Sequence, residues 1–299
     1  MPFLTVRHLT VYRYSEPVGL GEHRMMFRPR ESHDLKLLKS SLEITPAPAT
    51  LRWLHDVFDN SVAIASFEGS TCELRFDSTV ALEQVETTLP DYPLEEYAKT
   101  YPFQYSDDEL PNLGQALVHH YPSEDVKCWA KQFLDPSGRT ETMNLLRSIT
   151  LAIKKDCIYM SRSEKGVQSP SETLASRRGS CRDFAVLMME AARSLGFAAR
   201  FVSGYIFIPS AGTSRTVGGG STHAWIQAYL PGSGWIDFDP TNSIVGNRNL
   251  IRVALAWEPS QVLPLWGTFI GPASSFLSMD VAVTVTEDRR DLHPENGGP

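Results

Sequence analysis

The sequence predicts an α+β fold in two parts: an N-terminal antiparallel β domain, then a core in which helices precede a second, largely antiparallel sheet. Three observations predict it. Residues 3 to about 87 fall into short runs of β-formers bounded by turn residues, apolar residues recur at helical spacing from about 123 to 195, and β-rich runs return after Gly196. A chain of 299 residues with 42% hydrophobic content is long enough for two cores. The expected division is residues 1–88, residues 89–286 and a polar tail, 287–299, expected to be disordered.

In the first part the strand runs are LTVRHLTVYRY, LLKSSLEIT, RWLHDVF, SVAIASF and CELRFDSTVAL. Asp59-Asn60, between two of them, predicts a tight turn, because both residues tolerate left-handed backbone. TTLPDYPLEEY, residues 87–97, has two prolines and little periodicity and marks the boundary. Ser123 then caps a helix over EDVKCWAKQFL, with Val126, Trp129, Ala130 and Phe133 on its inner face. A longer helix follows in TETMNLLRSITLAIKKD, and SETLAS makes a short capped turn. In SCRDFAVLMMEAARSLG, Ser180 and Asp183 form a capping-box variant. Behind them Phe184, Leu187, Met188, Ala191 and Leu195 give an amphipathic helix, with Gly196 as its C-cap. ARFVSGYIFI, THAWIQAYL, GWIDFD, IRVALAW and LSMDVAVTV are the later strands.

A net charge of −7 and a pI near 5.6 argue against a nucleic-acid or anionic-membrane partner, which would need clustered positive charge. The basic cluster Arg24, Arg28 and Arg30 reads as a solvated face. MPFLTVRHLTVYRYSEP has no continuous apolar signal region, and no later run is long enough for a membrane helix, so a soluble, cytoplasmic protein is expected. Four cysteines, Cys72, Cys128, Cys157 and Cys181, are widely spaced and form no CxxC, which fits reduced thiols. The first three read as packing residues.

Cys181 differs from them by its place at the first position of a helix. Unpaired backbone N–H groups and the positive end of the helix dipole there favour thiolate over thiol, and Arg178 and Arg182 add positive charge. A thiolate nucleophile needs a base, and the base needs a third group to orient it. His223 opens the strand run THAWIQAYL after the glycines at 218–220, and the turn PGSG at 231–234 joins that run to GWIDFD. Asp239 would then lie on the strand next to His223. Asp237 shares its face, because strand side chains repeat every second residue, so the residues alone leave two candidate acids.

GSCRDFA around Cys181, LGFAARFVSGY after its helix, HAW at 223–225 and GWIDFDPTN together resemble the transglutaminase-like superfamily of thiol enzymes. HLTVYRYSEPVGLGEHRMMFRPRE and the hairpin around DVFDNSV are similar to its bacterial branch with an N-terminal β-domain, and the resemblance runs from about residue 4 to 285. It implies a papain-like core, in which a helix bearing the cysteine packs on an antiparallel sheet. It also implies Cys181 as nucleophile, His223 as general base and Asp239, the aspartate followed by Pro-Thr, as orienting acid in place of Asp237. Tyr159 in CIYMS matches an aromatic position of the family pattern, whereas ALAWEPSQ at 254–261 departs from a more polar stretch. Nothing resembles the acidic calcium loops of the eukaryotic cross-linking members, so neither metal nor cofactor is expected.

The expected function is thiol-dependent acyl transfer or hydrolysis of amide or peptide bonds through a cysteine thioester, on a peptide or protein substrate. The backbone N–H of Cys181 is the expected oxyanion donor, and Trp225 and Trp235 are expected to exclude water. The alternative is a catalytically silent interaction module that uses the β-domain. The glycine-rich stretch 212–220 reads either as a lid or as a plain connector.

Overall fold

The computed structural model describes residues 3–85, 92–162, 166–209 and 219–288. The first sheet is organised by β1 (Phe3–Met25), a strand long enough to take different neighbours along its length. β2 (Leu35–Thr45), β3 (Thr50–His55), β4 (Ser61–Ser66) and β5 (Ser70–Gln84) join it in the order β2-β5-β1-β4-β3. Strict alternation drives the burial: on β5, Leu74, Phe76, Ser78, Val80, Leu82 and Gln84 face inward and the residues between them do not.

The expected tight turn at Asp59-Asn60 is a wider loop. The carboxylate of Asp56 accepts the N–H groups of Phe58 and Asn60, and Asp59 takes the left-handed conformation at φ 62°. Asn60 is fully buried, because its amide reaches into the second sheet.

After a single helical turn at Leu110–Leu113, four longer helices follow among the described residues. In α1 (Glu124–Lys131) the Ser123 hydroxyl accepts the Val126 N–H, and in α2 (Thr142–Asp156) the Glu141 carboxylate accepts those of Met143 and Asn144. α3 (Pro170–Ser176) has Ser169 and Glu172 as a reciprocal capping box. α4 (Cys181–Ser194) ends as expected at Gly196, whose φ of +87° suits glycine at that place.

The amphipathic helix expected at α4 is instead a central one. From Cys181 to Arg193 every residue other than Arg182 is buried, with α1, α2 and α3 on one side and a sheet on the other. Its polar residues go inside because they find partners: Asp183 pairs with Arg162 at 2.7 Å, and Glu190 pairs with Arg193 at 2.8 Å.

That second sheet is antiparallel and, among the described residues, five-stranded. It comprises β6 (Ala199–Ile206), β7 (His223–Leu230), β8 (Gly234–Asp239), β9 (Ile244–Val245) and β10 (Leu250–Ala256), in the order β9-β8-β7-β6-β10. α4 lies across β7 and β6, where Phe184, Ala185 and Met188 meet Ala224, Ile226 and Ala228 in one core.

The chain then returns to where it began. β11 (Leu265–Ile270) and β12 (Phe276–Asp288) pair antiparallel with β1, so residues 265–286, grouped by the sequence division with the core, are strands of the first sheet. The physical reason is that β1 has a second edge whose N–H and C=O groups need partners. β11 carries no sequence signal that predicts it, because Gly267 interrupts it. The glycine is needed there, since a Cβ would lie 2.1 Å from Cδ2 of His23. Glu287 and Asp288 complete β12, and the remainder of the expected tail lies outside the described residues.

The two sheets are stitched by buried polar contacts. His8 on β1 bonds the Tyr205 hydroxyl at 2.9 Å, Gln84 donates to the carbonyls of Asn247 and Leu250, and Arg252 bridges Asp34 and Asp237. Leu4, Val6, Val80 and Leu82 of the first sheet belong to the same core as α4.

Candidate active site

Cys181 is the first residue of α4 and 6% exposed. The turn before it is held by Asp183, whose Oδ2 accepts both the N–H and the hydroxyl of Ser180 at 2.8 Å. Oδ1 of the same carboxylate accepts the Gln168 N–H and the Arg162 guanidinium. Four donors on one buried carboxylate fix where the helix starts, and with it the thiol.

His223 is the first residue of β7 and 1% exposed. Its Nε2 lies 2.9 Å from Oδ2 of Asp239, the last residue of β8. That leaves Nδ1, buried and without a hydrogen-bond partner among the described residues, as the nitrogen available to Cys181. Burial alone would lower the imidazole pKa, but the Asp239 charge and hydrogen bond override it and the Cys181 thiol adds to them, so it is raised to about 10. Burial likewise opposes the charge on Asp239, yet His223, Asn242 and the Thr241 N–H hold its pKa below the ordinary carboxylate value.

The hairpin brings these residues together by register. Ile226 faces Phe238 and Leu230 faces Gly234, which carries the start of β7 to the end of β8. Asp237 has other partners: Trp225 Nε1 donates to it at 2.7 Å and Arg252 at 2.9 Å. It therefore acts on His223 indirectly, because Trp225, fully buried, stacks on the imidazole with ring centroids 5.8 Å apart. Trp235 lies elsewhere, under the Arg200 guanidinium 4.0 Å from its ring centroid.

Two parts of the site escape a reading of the sequence, the turn after Asp239 and the cleft wall. Asn242 donates to Asp239 Oδ2 at 2.9 Å, while the Thr241 N–H donates to Oδ1 at 2.8 Å. The signal for both is the run DPTN, where an Asx-type turn folds back on its own aspartate. The other part is the cleft wall. Cys181, Arg182 and His223 line a cleft of about 330 Å³, whose wall is completed by Tyr121, by Pro259 and Ser260 of the run ALAWEPSQ, and by Val262–Pro264 just after it. Tyr159 sits beside the cleft, its hydroxyl pKa raised by burial and then by the nearby Cys181. Of the glycine-rich stretch 212–220, read as either lid or connector, only Gly219 and Gly220 fall within the described residues, and Gly220 bridges to Val283 of β12.

The other cysteines differ from a uniform packing role. Cys72 and Cys128 are exposed, and Cys157 is half-buried at the C-cap of α2. Among the described residues no cluster of three or more His, Cys, Asp or Glu side chains could hold a metal ion, and no helix is long and apolar enough to cross a membrane.

Residues 4–83 match the bacterial transglutaminase-like N-terminal region, and residues 127–240 match the transglutaminase-like superfamily. Over 301 residues, 96% of this chain and 94% of the relative, it is 28% identical to an uncharacterized protein of Mycobacterium tuberculosis. Over 287 residues, 95% of this chain and 98% of the relative, it is 28% identical to an uncharacterized protein of Mycobacterium leprae. Its fold is similar to the solved structure of a "putative cysteine protease" from Cytophaga hutchinsonii, with TM-score 0.70 and 20% identity over 98% of this chain and 93% of that one. With both regions matched in chain order, the chain belongs to the transglutaminase-like superfamily, in the branch that carries the bacterial N-terminal region.

Proposed function

We propose that the protein is a thiol enzyme that transfers or hydrolyses acyl groups of amide or peptide bonds through a Cys181 thioester. The observation that carries this reading is the buried 2.9 Å contact of His223 Nε2 with Asp239, which leaves Nδ1 free to serve the thiol on α4. In the reaction His223 holds the thiol proton as imidazolium beside the Cys181 thiolate, and the sulfur attacks the amide carbonyl carbon. The C–N bond then breaks as His223 returns the proton to the leaving nitrogen. Water or a primary amine next attacks the thioester, with His223 accepting its proton, and the thiol is released. The Cys181 N–H, at a helix N-terminus, is aimed at the developing oxyanion.

Support for Asp239 as the orienting acid is its three contacts, with His223, Thr241 and Asn242, which hold one carboxylate oxygen on Nε2 and so favour a single tautomer. The substrate is read as a peptide or protein segment entering the cleft, and the reduced thiols suit a cytoplasmic setting.

The test is ammonia release from a glutaminyl peptide, with and without an added primary amine, by the parent and by Cys181→Ala. Release by the parent alone supports the reading. An amine-dependent product identifies transfer, equal product with and without amine identifies hydrolysis, and equal activity of Cys181→Ala would remove the thiol mechanism.

A further inference from the structure

We propose that Arg182 binds a carboxylate of the substrate beside the amide that Cys181 attacks. The preferred substrate would then carry an acidic side chain or a free chain terminus at that place; this rests on the thiol-enzyme reading and narrows its substrate class.

The guanidinium stands beside the thiol. Arg182 is the one residue between Cys181 and Arg193 that is not buried, and it lines the cleft together with Cys181 and His223. Arg182 and Cys181 both act electrostatically on the Tyr159 hydroxyl, so guanidinium and thiol border the same ring.

The guanidinium is also short of partners. Other half-buried arginines are satisfied: Arg162 by Asp183, Arg252 by Asp34 and Asp237, and Arg30 by the carbonyls of Phe58 and Asp59. Among the described residues no carboxylate or carbonyl takes a hydrogen bond from Arg182. Among the described residues no Asp or Glu lines the cleft, whose wall is mainly apolar, with Tyr121, Phe201, Val262 and Leu263. In a chain of net charge −7 Arg182 places a local positive charge in this cleft, while the charge of the imidazole is balanced by Asp239. A planar guanidinium in a partly desolvated cleft is matched by a carboxylate, which can take two of its N–H groups at once.

The experiment compares alkylation of Cys181 by anionic iodoacetate and neutral iodoacetamide, read by peptide mapping with exposed Cys72 as internal reference, in the parent, Arg182→Gln and Arg182→Lys. The expected result is that the iodoacetate-to-iodoacetamide rate ratio at Cys181 falls about tenfold in Arg182→Gln, the scale of a charge-assisted contact, and less in Arg182→Lys. Any loss of thiolate in Arg182→Gln slows both reagents alike and cancels in the ratio, and continued alkylation of Cys181 by iodoacetamide shows that the site is still assembled. N-acetylglutamic acid α-amide and N-acetylglycine, tested as protectants of the parent, separate a side-chain carboxylate from a terminal one. An unchanged ratio with Cys181 still reactive overturns the anchor alone. Cys181 inert to both reagents while Cys72 reacts overturns the thiol-enzyme reading and the anchor with it.

Discussion

The imidazole of His223 stacks on the indole of Trp225, with planes 29° from parallel, and the indole is itself tied through Nε1 to Asp237. One face of the histidine is thus set by packing, while its edge is set by Asp239. The indole has no room to retreat. Gly204 on β6 lies so close that an added Cβ would stand 2.7 Å from Cη2 of Trp225 and 2.1 Å from the Ile251 carbonyl oxygen.

Trp225→Phe keeps the stacking ring but removes the bond to Asp237, whose other oxygen still holds Arg252. The expected outcome is a loss of about 1–2 kcal/mol in denaturant unfolding. Activity should fall by about tenfold through misplacement of the imidazole. Gly204→Ala should destabilise by about 1–3 kcal/mol, since the carbonyl it meets cannot yield. Parent-like stability of Gly204→Ala would show that β6 and β10 can separate at this point.

Asp239→Asn removes the charge that keeps His223 protonated. In the parent the imidazole pKa is raised to about 10, above its unfolded value near 6.5. The stability this contributes is therefore full below about pH 6.5 and is lost as pH rises through about 10. The variant should lose that alkaline slope, titrate His223 at lower pH by NMR, and retain about 10⁻⁴ of the parent turnover. A His223 titration that does not move would separate the carboxylate from the imidazole.

His8 titrates in the opposite sense. Burial lowers its pKa to about 4, and burial also lowers that of His23, so the folded protein resists protonation that the unfolded chain accepts. This stability is present above about pH 6.5 and is lost as pH falls toward 4, by on the order of 2 kcal/mol at pH 5. Urea midpoints at pH 7 and pH 5 should therefore differ more in the parent than in His8→Phe. Equal differences would place the acid lability in other groups.

Asn60 imitates a strand residue toward β10: its amide nitrogen donates to the Leu255 carbonyl and its oxygen accepts the Leu255 N–H, both at 2.8 Å. Asn60→Ala strands two buried backbone groups and should cost about 2–4 kcal/mol. Asn60→Asp should cost at least as much, because it turns an acceptor toward a carbonyl. Calorimetry of both variants checks this, and a loss under 0.5 kcal/mol, within the range of ordinary surface substitutions, would mean that the loop does not hold the sheets together.

Local chemistry is what the sequence alone determined. The β alternation, the caps at Ser123 and Gly196, the helix start at Cys181 and the hairpin around PGSG all depend on a few neighbouring residues, and each is present in the fold. Partners far apart in the chain were decided only by tertiary structure. By alternation Asp237 and Asp239 are equivalent, and only the meeting of β7 with β8 gives one to His223 and the other to Trp225 and Arg252. α4 reads as amphipathic, yet it is buried nearly all round, because Arg162 and the Glu190–Arg193 pair neutralise its polar side. β11 and β12 return to β1, and Pro259–Pro264 closes the cleft, for the same reason: hydrogen-bond edges and cavity walls are completed by whatever segment reaches them, and that segment is chosen by the folded chain and not by its neighbours in sequence.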